Sequence, residues 1–101
     1  MDKLDTKMAI TVKLVGALRH FSGVDKLALD CKEQLSINEI LNEIIKELPD
    51  LKRGLIDQQF EDSRPNALIL VNGREISVLN GLETKLHDKD EVVLVPFVHG
   101  G

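Results

Sequence analysis

The sequence predicts an α+β fold in which one main helix packs on one face of a mixed sheet of about five strands. Apolar and polar residues alternate in short segments near both ends of the chain, and apolar residues recur at helical spacing in one longer segment between them. The chain has 101 residues, enough for one domain with its own core. We therefore expect a single domain over residues 1–101, with a flexible N-terminus at 1–7 and a flexible tail at 98–101.

Two strands are predicted at the start of the chain. Alternating apolar residues indicate one strand from Met8 to Leu14 and another from Lys26 to Cys31. Gly16 ends the first strand, and residues 17–23 are predicted to be a connecting loop with room for one helical turn. The two strands are close enough in sequence to form a hairpin. The inward face of the second strand is predicted to consist of Leu27, Leu29 and Cys31.

The main helix is predicted to begin after Ser36. Ser36 and Glu39 match a capping box, in which each side chain bonds the other residue's backbone N–H. Pro49 marks the end of the helix. A shorter second helix is predicted over residues 51–60, weakened by Gly54. Burial of the six aliphatic residues on the main helix would contribute roughly 9–18 kcal/mol gross, at about 1.5–3 kcal/mol each. These residues are Ile37, Ile40, Leu41, Ile44, Ile45 and Leu48.

A second hairpin is predicted in the later half of the chain. Residues 61–66 form a polar loop, and Ala67–Val71 is an unbroken apolar run typical of a buried strand. The dipeptide Asn72-Gly73 is a strong signal for a two-residue hairpin turn. Residues 75–78 are predicted to complete the strand pair.

The last strand is predicted from Glu91 to about Phe97. A connector over residues 79–86 and a turn over residues 88–90 lead into it. The element order is therefore strand, strand, helix, strand, strand, strand. A β-grasp is the simplest assembly of that order, and it places the last strand parallel to the first in the middle of the sheet.

Composition excludes several classes of function. The net charge is −4, with 13 Lys and Arg residues spread among 17 Asp and Glu residues, which disfavours direct binding of nucleic acid. Cys31 is the single cysteine, so no internal disulfide forms and a reducing, cytoplasmic location is expected. No apolar stretch reaches the roughly 18 residues that indicate a membrane span. We expect a monomer that does not bind membranes.

The chain carries no motif for catalysis of its own. Its seven glycines do not form a nucleotide-binding spacing, so ATP chemistry requires a partner and no bound cofactor is expected. His20, His87 and His99 do not stand at metal-ligand spacing from Cys31, so no metal site is expected. Cys31 is predicted to be a small core residue rather than a reactive thiol.

The final Gly100-Gly101 pair is the best candidate for a reactive group. It follows a predicted strand directly and offers a slim carboxylate with no side chain on either residue. A partner enzyme could convert the Gly101 carboxylate to an acyl-adenylate with ATP, and a sulfur nucleophile could then displace AMP. His99 is assigned a recognition or spacer role.

The residues before the tail are predicted to dock a partner. Pro96, Phe97 and Val98 form an apolar segment immediately before the tail, which suits an anchor for an enzyme. The alternative for Phe97 is a structural role, in which its ring fills the core beside Val93 and Val95.

The last third of the chain carries several short motifs: Val71-Asn72-Gly73, Leu82, Leu86 to Val92, and Gly100-Gly101. These resemble motifs of the small subunit of molybdopterin synthase. Ser63-Arg64-Pro65 and the ending His99-Gly100-Gly101 are more similar to the ubiquitin-related modifier that thiolates tRNA. The chain thus resembles the ubiquitin-like β-grasp sulfur carriers, which also include small archaeal modifiers.

The resemblance implies a carrier that is a co-substrate of an E1-like adenylating enzyme rather than an enzyme itself. It implies that the residue matched by Gly101 is adenylated, receives sulfur from a persulfide donor, and becomes a thiocarboxylate. The product would serve a tRNA thiolation enzyme or be conjugated to lysines of target proteins. The alternative is the sulfur-donating small subunit of molybdopterin synthase, working with its large subunit. Since Pro96 is the only proline near the tail, the modifier type is favoured. A third reading is a plain binding module.

Overall fold

The computed structural model describes residues 8–55 and 67–97. These residues form one five-stranded mixed sheet in the order β2-β1-β5-β3-β4. β5 runs parallel to β1 and antiparallel to β3, so the first and last strands are neighbours in mid-sheet, as predicted. The β-grasp fold class is confirmed. The strands are β1 Met8–Leu14, β2 Lys26–Cys31, β3 Ala67–Val71, β4 Arg74–Glu75 and β5 Glu91–Pro96.

The helices connect these strands and cover one face of the sheet. Three are α-helical: α1 Ala17–Ser22, α2 Ile37–Glu47 and α3 Lys52–Leu55. Single 3₁₀ turns occupy Pro49–Leu51, Ile76–Val78 and Gly81–Glu83. Within the described residues, no helix combines the length and apolar composition needed to cross a membrane. The N-terminus at 1–7, the loop at 61–66 and the tail at 98–101 lie outside the described residues.

Helix α2 begins at the predicted capping box. The Glu39 N–H donates to Ser36 Oγ at 3.2 Å, and the Ser36 N–H donates to Glu39 Oε1 at 2.8 Å. The bonds from Ser36 favour the ionised carboxylate and lower the pKa of Glu39. Ile45 and Leu48 pack only at the margin of the core. The other four predicted helix residues are buried: Ile37, Ile40, Leu41 and Ile44.

The core lies between α2 and the inner face of the sheet. The two central strands supply its middle, where Val12 of β1 and Leu94 of β5 are fully buried. Leu51 and Leu55 close one side from the short helical turns after α2. The predicted helix over 51–60 is therefore helical as far as Leu55, and residues 56–60 lie outside the described residues.

The first connection forms a helix of six residues, which is longer than the single helical turn allowed for in the predicted loop. α1 is flanked by Gly16 and by Gly23, whose N–H donates to the Arg19 carbonyl at 2.9 Å. Leu18 is buried and Phe21, three residues later, is half-buried against the core. Because periodicity is the main helical signal in a sequence, a six-residue helix with only these two apolar contacts is too short to give a clear one.

The predicted strand over 75–78 is wrong beyond its first residue. The turn forms as expected, with positive φ at Asn72 (51°) and Gly73 (87°), but β4 ends at Glu75. The Glu75 carboxylate accepts a hydrogen bond from the Ser77 N–H at 3.2 Å, which takes that donor away from a strand ladder. Ile76 is buried, so the chain turns inward as a 3₁₀ turn.

Among Gly16, Gly23, Gly73 and Gly81, Gly16 is expected to be the glycine whose substitution destabilises the fold most. It has φ 62° and ψ −131°, a backbone conformation that essentially only glycine adopts, and Gly16→Ala should destabilise the protein by about 2–3 kcal/mol. Gly23→Ala is the control, because its φ of 78° and ψ of 2° lie in the left-handed helical region, where alanine costs about 1 kcal/mol. Urea unfolding measures both. Equal losses for the two variants would contradict this assignment.

Candidate functional site

The strand that precedes the predicted tail, β5, lies in the middle of the sheet. Pro96 is the last residue of β5 and pairs with Ala67 of β3. On the other side, the Val15 N–H donates to the Leu94 carbonyl at 3.2 Å, which ties the start of the α1 connection to β5. The predicted site residues Val98, His99, Gly100 and Gly101 lie outside the described residues, so their roles remain predictions.

Gly16 and Pro96 set the position of the strand end. A Cβ atom at Gly16 would lie 3.5 Å from Pro96 Cγ, so the backbone of the β1–α1 corner runs close to the proline ring. Pro96 itself is half-buried, whereas the next residue, Phe97, is exposed. The chain therefore leaves the sheet at a position fixed by both neighbouring strands.

The sheet face opposite α2 carries an apolar surface next to the tail. In β3 and β5 every second residue is buried against α2, so the residues between them lie on the opposite face. Cross-strand pairs join Leu68 to Val95 and Leu70 to Val93. Side chains in such pairs lie about 4.5–5.5 Å apart at Cβ, so they form a continuous surface. We call this surface the open-face patch: Leu68, Leu70, Val93, Val95 and the adjoining Phe97.

The side chain of Phe97 is not part of the core. It is 49% exposed, and Val93 and Val95 are only half-buried on the face opposite α2. The alternative in which Phe97 fills the core beside these valines is therefore not what the structure shows. Its exposure is compatible with the docking role, which stays a prediction.

Charged residues border the open-face patch. Lys13 of β1 lies opposite Val93, and its Nζ is 2.9 Å from Glu91 Oε2. On the other side, Glu75 of β4 lies opposite Leu70. The Lys13–Glu91 pair is exposed, so it adds at most about 1 kcal/mol to stability. An apolar centre with a charged rim is the usual composition of a protein-binding surface.

Cys31 lies away from the tail. It belongs to edge strand β2 and pairs with Met8. Its predicted inward orientation is confirmed, but the side chain is half-buried at the margin of the core rather than enclosed by it. Burial raises the pKa of the Cys31 thiol, and the nearby carboxylates of Glu43 and Asp30 raise it further. Since the thiolate is the reactive form, this environment disfavours a nucleophilic role.

The acidic turn before β5 is structural. Asp88 Oδ1 accepts from the Ala9 N–H at 2.8 Å, and Asp90 Oδ2 accepts from the His87 N–H at 2.7 Å. These carboxylates are engaged in holding the turn against β1. In residues 8–55 and 67–97, no group of three or more His, Cys, Asp or Glu side chains is arranged to hold a metal ion.

A five-stranded mixed sheet with the first and last strands side by side and a main helix on one face defines a protein of the ubiquitin-like β-grasp class. The family model described as "ThiS family" matches residues 12–101, and the chain belongs to that family. The match therefore includes both terminal glycines.

Curated relatives with similar sequences carry carrier and modifier names. Ubiquitin-related modifier 1 of Yarrowia lipolytica is 33% identical over 99 residues, which cover 93% of this chain and 100% of that protein. A putative sulfur carrier protein of Archaeoglobus fulgidus is 31% identical over 94 residues, with the same coverage of the two chains.

Solved structures show the same fold. The solution structure of small archaeal modifier protein 1 from Methanosarcina acetivorans has a TM-score of 0.75 and 33% identity, covering 95% of this chain and 99% of that chain. A chain in the crystal structure of the Amycolatopsis orientalis BexX/CysO complex has a TM-score of 0.68 and 25% identity, covering 91% and 99%. Putative molybdopterin converting factor subunit 1 from Pyrococcus furiosus has a TM-score of 0.71 and 25% identity, covering 90% and 99%.

Proposed function

We propose that this protein is a ubiquitin-like sulfur carrier and protein modifier, activated at the Gly101 carboxylate by a separate E1-like adenylating enzyme. One observation carries the proposal: the family match runs through Gly101, in a chain whose central strand β5 ends beside the open-face patch. A partner that covers the patch would then also hold the segment leading to the reactive carboxylate.

The proposed reaction has three steps. The Gly101 carboxylate attacks the α-phosphorus of ATP on the partner enzyme, forming an acyl-adenylate and releasing pyrophosphate. The terminal sulfur of a persulfide donor then attacks the carbonyl and displaces AMP, leaving an acyl disulfide. A second thiol attacks the donor's sulfur in that disulfide, which releases the thiocarboxylate and leaves the donor oxidised as a disulfide.

This chain contributes shape and position rather than catalytic groups. Glycines without a Cβ let an enzyme close around the backbone and bring the carboxylate within attack distance of ATP. The open-face patch, ending at Phe97, would hold the domain while the tail occupies the partner's active site. The A. orientalis neighbour belongs to a BexX/CysO complex, which supports the general idea that such domains work with a bound partner protein.

The thiocarboxylate can follow two paths in the cytoplasm. Its sulfur can pass to a tRNA thiolation enzyme, or its carbonyl can be attacked by a target lysine amine to form an isopeptide bond with loss of sulfide. The alternative function is the small subunit of molybdopterin synthase, which the name of the P. furiosus neighbour makes relevant. Stable co-purification with a large catalytic subunit would favour that alternative, whereas lysine conjugates in cells would favour the modifier.

The deciding experiment is intact mass spectrometry of the chain after incubation with its E1-like enzyme, ATP and a persulfide donor. We expect replacement of one carboxyl oxygen by sulfur at the C-terminus. Cys31→Ser should give the same product. The pKa of the Cys31 thiol is raised and its side chain is half-buried, so little of the reactive thiolate is available to carry sulfur. If a folded Cys31→Ser variant is not loaded with sulfur, the sulfur must pass through Cys31. Formation of an adenylate alone, with every donor, would reject the sulfur-carrier function.

A further inference from the structure

In the part of the chain that the structure describes, β2 is a regular strand at one edge of the sheet with a partner on one side only. Among the described residues, β2 pairs only with β1, through six consecutive residue pairs from Met8↔Cys31 to Lys13↔Lys26. The unbroken register means that no bulge interrupts the strand. The opposite edge is different, since β4 has only two residues. A regular free edge is a ready template for another strand.

The register shows which backbone groups point away from β1. The Leu14 N–H donates to the Asp25 carbonyl at 2.9 Å, which makes this a hydrogen-bonded position of the antiparallel ladder. Bonded and non-bonded pairs alternate along such a ladder. Lys26, Ala28 and Asp30 therefore direct their N–H and C=O groups toward the free side. An added strand would find three residues with available donors and acceptors.

A groove that combines apolar and charged side chains lies at one end of this edge. It has a volume of about 300 Å³; its apolar lining is Leu29, Cys31 and Leu35, and its charged lining is Asp30, Lys32, Glu33 and Glu43. The inward-facing residues of β2 are only half-buried, so α2 leaves part of their apolar surface uncovered. Aliphatic side chains from an added strand would fill this space between β2 and α2.

A basic cavity lies at the other end of the same edge. It has a volume of about 860 Å³ and is lined by Arg19 and His20 of α1 and by Lys26 of β2. Asp25 is the one carboxylate that lines it. In a chain with a net charge of −4, this is a local concentration of positive charge. Acidic side chains are its natural complement.

We propose that the free edge of β2 binds an extended peptide segment of a partner protein by strand addition. The segment runs antiparallel to β2, with aliphatic residues beside Leu29 and Cys31 and acidic residues after them, beside Arg19 and Lys26. The six residues of β2 span about 17–20 Å, which matches a peptide of similar length. Backbone hydrogen bonds would provide affinity. The two cavities would provide specificity, because they select a peptide whose apolar residues precede its acidic residues.

This edge is separate from the open-face patch. β1 stands between β2 and β5, and the groove opens toward α2 rather than toward the opposite face. Peptide binding at this edge is therefore independent of activation at Gly101. It would let the chain, or a conjugate of it, bind a second protein while the tail is engaged.

The test uses a fluorescein-labelled peptide of four valine and isoleucine residues followed by three glutamates, with binding measured by fluorescence anisotropy. We expect Arg19→Glu/Lys26→Glu to weaken binding roughly tenfold or more. Arg74→Glu, on the opposite edge strand, is the matched control and should leave affinity unchanged. A peptide with the glutamates placed first should bind the wild type more weakly, because its acidic end would face the carboxylates of Asp30, Glu33 and Glu43 in the groove.

Two further arms test the backbone contacts. Ala28→Pro removes an outward N–H without touching the β1 ladder, and it should abolish binding in a variant that still melts cooperatively. A peptide N-methylated at alternate residues tests the same bonds with unaltered protein. NMR shifts should map to residues 26–31 and to α2. Three results would each overturn the proposal. They are shifts centred on Leu68, Leu70 and Val93, equal affinity for both peptide orders, and full binding by the N-methylated peptide.

Discussion

Removal of Gly101 is expected to abolish adenylate formation and sulfur loading while leaving the free energy of unfolding unchanged within about 0.5 kcal/mol. The strands and the buried core that the structure describes are complete by Pro96. Shortening the chain by one residue withdraws the terminal carboxylate by about 3.3–3.6 Å along an extended tail. Misplacement of reacting groups by even about 1 Å can cost roughly a hundredfold in rate. The terminal carboxylate of the truncated chain should therefore no longer reach the attacking position in the partner's active site.

The measurement is ATP–pyrophosphate exchange catalysed by the E1-like enzyme, with urea unfolding run in parallel. Addition of one glycine after Gly101 moves the carboxylate the other way and should also abolish exchange. Gly101→Ala keeps the length and should retain partial exchange, reduced by the added Cβ. Wild-type exchange by the truncated chain would place activation elsewhere than the C-terminal carboxylate.

The elements that the sequence predicted best are those with a complete local pattern. α2 combines a capping box at Ser36 with apolar residues at helical spacing, and both signals lie within one segment. The Asn72-Gly73 turn is equally local, since two residues carry the whole signal. The lengths of α1 and β4 differed from the prediction because other residues decide them. α1 is held by Leu18, which enters the core, and β4 ends where the Glu75 carboxylate bonds the Ser77 N–H.

The open-face patch could not be obtained from the sequence in the same way. Alternate residues of a strand lie on opposite faces, but the run Val92–Val95 is uniformly apolar, so its pattern does not show which face is buried under the helix. Leu68 and Leu70 belong to a distant segment and join the patch only because β3 pairs with β5. The candidate reactive group could be predicted from the sequence, because the terminal glycines and the motifs near them consist of consecutive residues and depend on no tertiary contact.

Phe97→Ala is expected to weaken binding to the activating enzyme by about 2 kcal/mol or more, which is roughly thirtyfold. Phe97 extends the open-face patch at the point where the tail begins, so an enzyme that holds the tail must pass over this ring. Aromatic residues at the centre of an interface commonly carry such a share of the binding energy. Because the ring is 49% exposed, the same change should cost about 1 kcal/mol or less in stability.

A buried phenylalanine would behave in the opposite way, with about 3–5 kcal/mol lost on truncation to alanine. Thermal melts and affinity measurements on the same variant therefore separate docking from core packing. Val78→Ala is the matched control, since Val78 is an apolar side chain with 72% exposure outside the open-face patch, and its truncation should change neither quantity appreciably. If Phe97→Ala binds the enzyme with unchanged affinity, Phe97 is not part of the docking surface.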